Sequence, residues 1–389
     1  MTTTSLSLDG QATALLVGRF GEGRAKPLTR VEFNRVAQNL HQRGLRPSDL
    51  FRQLPDDLPV DRERLSLLIS RGTALALAVE SWSQVGIRLV SRADPNYPAR
   101  FRRLLKSGSS PILYYAGDLS LLERPTISVV GSRDATQEGL RFAHVIGERA
   151  AAEGVVTVSG DARGVDRAAM EGGLDHGGYA VGILSDSLFK SVLSKRYRQA
   201  IGSGNLLLIS HVEPDARFTV TQAMERNRYI YAAGDVVIVA DSDIKGGTWS
   251  GAIENLKHRW APAFVRTGHE TREGNVALLN AGLVEISDGW LSHERPIHSL
   301  LDVRIDAPES LPLFSTREQA TADDSSRDIL FNLFRERLLS VLDAPQDTSN
   351  IADSFGLEIH QAEVWLKRAA AAGVVEITAN RRWKRKQGH

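Results

Sequence analysis

A doubly wound α/β domain on a mainly parallel sheet is the fold this sequence predicts, with a small helical domain before it and a C-terminal winged helix after it. Three observations predict it. Seven short apolar runs, at 126–130, 155–159, 180–184, 206–210, 235–240, 262–266 and 283–287, alternate with helical patterns at 137–153, 166–176, 190–202, 219–232, 248–259 and 275–281. That alternation demands parallel pairing with right-handed crossovers. Glycine-bearing turns follow the first, second and fifth runs. Past Trp290 the periodicity stops, and a polar, proline-bearing stretch separates it from a last helical segment. The predicted boundaries are 1–88 helical, 89–290 α/β, 291–327 linker and 328–389 winged helix.

In chain order, Thr29 and Glu32 form a capping box that opens a helix through Phe33, Val36 and Leu40, and Asp61 to Val79 repeats apolar residues at helical spacing. The run IRLV (87–90) reads as a strand. Arg100, Arg102, Arg103 and Lys106 form a basic run, either a solvated helix face or a groove for an acidic ligand.

The stretch TISVVGSRDAT (126–136) is the centre of the argument. A buried strand breaks at Gly131, Ser132 and Arg133, then a helix begins, so free backbone N–H groups and a helix dipole meet at one point suited to an anion. Arg133 adds a planar donor fork. After the second strand come Ser159, Gly160, Arg163, Gly164 and Asp166. After the fifth come Asp241 and then Gly247 and Thr248, opening another helix. In a doubly wound sheet these ends face one crevice.

At the C-terminus, Thr348–Phe355 and Ile359–Ala372 give helix, turn, helix. A hairpin around Ala379 and Asn380 carries Arg381, Arg382, Lys384 and Arg385 beside Trp383. This is the outline of a winged helix whose basic patch either makes a secondary DNA contact or merely packs or contacts a protein partner.

Composition sets limits. The chain has 389 residues, a net charge of +1, 42% hydrophobic and 24% charged residues and no cysteine. Disulfides, thiolate metal sites and thiol catalysis are therefore excluded. Charge alone cannot coat nucleic acid, so contacts must come from local clusters. No apolar run approaches the ~20 residues of a membrane span, and no signal-peptide pattern opens the chain, so a cytosolic location without membrane association is expected.

These segments together resemble the DprA/Smf family of DNA-processing proteins, in the Rossmann-like SLOG superfamily. The resemblance is carried by Tyr97, Pro98 and Phe101, PILYYAGD (111–118), VVGSR (129–133), SGDARGVD (159–166), ERNRYIYA (225–232), GGTWSGA (246–252) and the winged-helix end. The chain departs from the family pattern at Met170, at LSDSL (184–188) and in FTVTQAMERNR (218–228).

The resemblance implies a non-enzymatic, cofactor-free and metal-free protein that binds single-stranded DNA and hands it to the recombinase RecA, as a homodimer. It also implies that Arg133, Ser159, Gly160, Arg163, Asn227 and Arg228 line a DNA-phosphate pocket. Asp166 is expected to hold its loop; of Phe218, Tyr229 and Trp249, which could stack bases, at least two are expected to pack in the core instead. Two alternatives stay open: a regulatory or antitoxin component of a phage-defence or toxin–antitoxin module, and a nucleoside-monophosphate phosphoribohydrolase with Glu254 as acid/base.

Overall fold

The structure, a computed structural model, describes residues 6–20, 25–292, 295–302, 338, 342, 344–355, 359–371, 373–378, 380 and 382–385. The chain divides into two compact units, Met1–Ala307 and Pro308–His389.

In the first unit, helices α1 (Leu8–Val17), α2 (Arg30–Gln42), α3 (Arg62–Ile69) and α4 (Gly72–Ser83) come first. The Thr29–Glu32 capping box opens α2, and Arg64 from α3 adds an ion pair to Glu32 at 2.8 Å. That pairing holds the Glu32 carboxyl down at about 2. Ala14 and Leu15 of α1 share a buried cluster with Ile112 and Tyr114, so α1 packs directly on the sheet, while α2 and α3 form a separate cluster around Leu16.

The sheet has nine strands: β1 (Arg88–Ser91), β2 (Ile112–Ala116), β3 (Thr126–Gly131), β4 (Val156–Ser159), β5 (Tyr179–Leu184), β6 (Leu206–Ser210), β7 (Val236–Asp241), β8 (Ala263–Thr267) and β9 (Val284–Ser287). Their spatial order is β1-β2-β6-β5-β4-β3-β7-β8-β9. The seven predicted strands all pair in parallel. Two antiparallel strands extend the sheet beyond β6. Of these, β2 has no alternation to betray it, because all five residues are buried.

Helices α6 (Gln137–Ala152), α7 (Val165–Asp175), α8 (Leu188–Leu193), α9 (Lys195–Gly202), α10 (Val220–Ala233), α11 (Gly247–His258) and α12 (Glu273–Asn280) fill the crossovers, and α5 (Ala99–Leu105) precedes β2. The predicted helix 190–202 is two helices, because Ser194 adopts extended backbone (ψ 139°) between them. Strand residues alternate between faces: Ile127 and Val129 pack with Phe142 and Ile146 of α6, while Val130 packs with Tyr229 and Ile230 of α10.

The linker expectation from residue 291 is corrected at its start. Beyond α13 (Asp288–Ser292), Ile297 and Leu300 around α14 (His298–Leu301) join the α/β core, and the Glu153 carboxylate accepts the Ile297 and His298 N–H groups. Most of the remaining linker lies outside the described residues.

In the second unit, α15 (Thr348–Phe355) and α16 (Ile359–Ala371) precede an antiparallel hairpin of β10 (Val375–Ile377) and β11 (Trp383–Arg385). Leu338 and Leu342 are buried with Ile351 and Leu366.

Candidate functional site

The strand order reverses direction at β3. Its successors β4, β5 and β6 run to one side, while β7 returns to the other. Loops leaving β3 and β7 therefore diverge and leave a crevice at their carboxyl ends. A cleft of about 320 Å³ lies there, and Gly131, Ser132, Arg133, Arg226, Asn227, Lys245, Gly247 and Thr248 are among its lining residues.

The loop after β3 is pinned from β7. Ser132 N–H donates to the Asp241 carbonyl (2.8 Å), and the buried Asp241 carboxylate accepts from Thr136 N–H (3.0 Å) and hydroxyl (3.1 Å). Thr136 caps α6 in turn. This leaves Arg133 outward, its guanidinium 5.0 Å from the centre of the Phe218 ring. Among the described residues Arg133 and Lys245 have no carboxylate partner.

The loop after β4 packs beneath. Gly164 has φ +90°, open to glycine and strained for other residues, and a side chain there would collide with the Ser132 carbonyl. Gly160 makes room for Arg226, whose guanidinium occupies the space a β-carbon would need. Arg226 is 6% exposed and sits 3.4 Å from Asp166. Burial pushes the Asp166 carboxyl up, against the opposing pull of Arg226. Asp166 lies in the first turn of α7, at the end of this loop, buried against Arg226.

The third wall is the start of α11. Gly246 precedes it with no capping side chain, leaving N–H groups of the first turn toward the cleft. Asn227 Nδ2 donates to the Gly247 carbonyl (3.1 Å) and the Tyr231 hydroxyl to that of Thr248 (3.3 Å), fixing α11 to α10.

Several predicted contacts sit elsewhere. The Ser159 hydroxyl is fully buried and donates to the Val129 carbonyl at 2.6 Å, which closes it to a ligand. Arg163 pairs with Asp134, both exposed. Arg228 lies 3.7 Å from Glu254, and neither is among the cleft-lining residues. Of the three aromatics, Tyr229 is buried and accepts from Ser110 N–H, and Trp249 packs on the core. Only Phe218 stands at the cleft, 44% exposed.

In the basic run on α5, Arg100 is bound to Asp235 (2.6 Å) and the Gly234 carbonyl, while Arg102 donates to the carbonyls of Arg92 and Asp94. On the hairpin, Arg382 and Arg385 are exposed and Lys384 pairs with Glu376 at 2.9 Å. Trp383 is 6% exposed with Nε1 donating to Thr348, so it is core rather than a stacking surface. Arg381 lies outside the described residues.

Sequence reasoning left Arg226 and Lys245 off the site. Arg226 adjoins Asn227 and Lys245 lies two residues before Gly247, both of which it did name, and only the geometry distinguishes them. Among the described residues, no group of three or more His, Asp or Glu side chains could hold a metal ion, and no helix is long and apolar enough to cross a membrane.

Comparison with known proteins agrees on where the core lies. The family model described as DNA recombination-mediator protein A matches residues 88–286, just over half of the chain. DNA processing protein DprA of Streptococcus pneumoniae is 32% identical over 139 residues, 35% of this chain and 49% of that protein. Protein Smf of Escherichia coli is 28% identical over 185 residues, 45% and 48% of the two chains. The chain thus spans about half the length of these curated relatives. The crystal structure of the Streptococcus pneumoniae protein shares the fold at a TM-score of 0.55 and 20% identity, covering 74% of this chain and 97% of that one.

Proposed function

We propose that this chain, which belongs to the DNA recombination-mediator protein A family, binds single-stranded DNA in the β3/β7 cleft and catalyses no reaction there. One observation carries the reading: among the described residues no carboxylate neutralises Arg133, which stands at the cleft beside the uncapped start of α11. Guanidinium and backbone N–H donors take phosphate oxygens without regard to base. The exposed ring of Phe218 offers any base a stacking face, worth about 1–3 kcal/mol.

The hydrolase reading loses support because Glu254, its acid/base candidate, faces Arg228 outside the cleft lining. The full reading includes delivery of the strand to RecA in the cytosol. It also includes assembly as a homodimer through the α/β part, where Val276 and Val284 stand exposed on α12 and β9. Arg382, Lys384 and Arg385 would add a secondary contact.

The test is a binding titration of single- and double-stranded DNA across a salt series. Tighter single-strand binding that weakens linearly on a log–log salt plot is expected. Equal or absent binding of both forms contradicts the reading.

A further inference from the structure

The donors around the cleft outnumber what an internal phosphodiester can use. Arg133 and Lys245 are two cations without carboxylate partners, whereas the other charged lining residues are engaged: Asp166 faces Arg226, and Asp243 is bound by Arg272 at 2.7 Å. Arg226 itself is only partly satisfied. Its 3.4 Å approach to Asp166 is long for a charge-assisted bond, and its buried Nε–H has no acceptor. An orphaned donor in a buried side chain at a cleft calls for an acceptor that arrives with a ligand. The start of α11, without a capping side chain, lines the same space through Gly246, Gly247 and Thr248.

Size and wall chemistry narrow the ligand. About 320 Å³ is at the small end of ligand sites, room for one nucleotide and not for a run of them. Phe218, Val220, Ala223 and Met224 make one wall apolar, suited to a base, with the cationic groups supplied by the other loops.

We propose that the cleft takes the terminal phosphomonoester of a nucleotide, whose second negative charge uses the cationic capacity that an internal phosphodiester leaves unmatched. A phosphodiester carries one charge, whereas a phosphomonoester carries roughly 1.5 to 2 near neutral pH. The inference rests on the strand-binding reading above and specifies which part of a strand the cleft holds.

The experiment measures binding of the full chain to one short oligothymidylate in three forms: 5′-phosphorylated, 3′-phosphorylated and hydroxyl at both ends. One phosphorylated form is expected to bind roughly tenfold tighter than the hydroxyl form, the effect of one added charge-assisted hydrogen bond. Because Arg226→Gln alone strands Asp166, the D166N/R226Q double variant is the comparison that removes both members of the buried pair; it should cut the preference below twofold.

Thymidine monophosphate as competitor separates two sources of the group. Displacement of the phosphorylated strand shows that a free nucleotide suffices, and failure at a hundredfold excess assigns the site to a strand end; both outcomes support the phosphomonoester. Equal affinity for all three strands, with Arg133→Ala weakening each of them, overturns the inference and leaves the strand-binding reading standing. Unchanged affinity in Arg133→Ala removes that reading, and the inference with it.

Discussion

Two arginine-bearing regions of this chain look alike on paper and differ in what their donors are doing. On α5, Arg100 gives its guanidinium to Asp235 and the Gly234 carbonyl, and Arg102 to two backbone carbonyls. At the β3/β7 edge, Arg133 leans on an aromatic face and Arg226 keeps an unpaired Nε–H. The first region is denser in positive charge along the sequence, and Arg100 too keeps a buried Nε–H without an acceptor, but its charge is met by Asp235, whereas among the described residues Arg133 and Lys245 stand at a cleft with no carboxylate partner. An anion site is therefore identified by cations that line a cleft and that no carboxylate neutralises, not by counting basic residues.

Four perturbations break or sharpen that contrast. The largest effect is expected from Arg133→Ala, which should weaken single-strand affinity roughly 10- to 100-fold in a direct binding titration, with thermal stability nearly unchanged. A comparable free energy attaches to the dry interior behind the cleft. His211 follows β6, stacks on Tyr229, lies 3.8 Å from Glu225, and has neither ring nitrogen hydrogen-bonded. Burial lowers its pKa from 6.5 to about 4.

A folded-state value below the unfolded one means the neutral ring is favoured in the native protein. Its contribution is intact above pH ~6.5 and is lost as the pH falls toward 4, by up to about 3 kcal/mol. Denaturant unfolding across that range should show the loss, and His211→Phe should flatten it.

Arg100→Ala should invert the Arg133 result, costing about 1–2 kcal/mol of unfolding free energy while DNA affinity stays the same. Smallest is Arg163→Ala. Its pair with Asp134 is exposed on both sides, so stability should move by less than ~0.5 kcal/mol. Affinity should change less than threefold in the same titration.

Much of this fold was legible in advance because six of the seven predicted strands, all but β9, are buried on both faces and cannot hide their apolar runs. The strand at Ile112–Ala116 escaped for a related reason: a five-residue stretch buried throughout carries no period to tell a strand from a helix segment. The loops were legible as glycine-rich helix starts, and Gly131, Ser132, Arg133, Asn227, Gly247 and Thr248 do meet at one cleft.

Side-chain direction was not legible. Nothing in the string Arg226-Asn227-Arg228 says that the first turns into the crevice against Gly160, the second braces α11, and the third leaves for Glu254. Successive helix residues are separated by about 100° around the axis, so neighbours in sequence face different surroundings. Ser159 was misjudged for a similar reason: a hydroxyl at a strand end can serve a ligand or the backbone, and here the Val129 carbonyl takes it.

Arg133 meets a phosphate with its charge unmatched, whereas the charge of Arg100 is already met by Asp235. The most direct test of that difference is the salt dependence of single-strand affinity for the wild type, Arg133→Ala and Arg100→Ala side by side. The slope of log affinity against log salt should shrink by about one for Arg133→Ala and stay at the wild-type value for Arg100→Ala. Equal slopes for all three proteins, or a loss confined to Arg100→Ala, would contradict it.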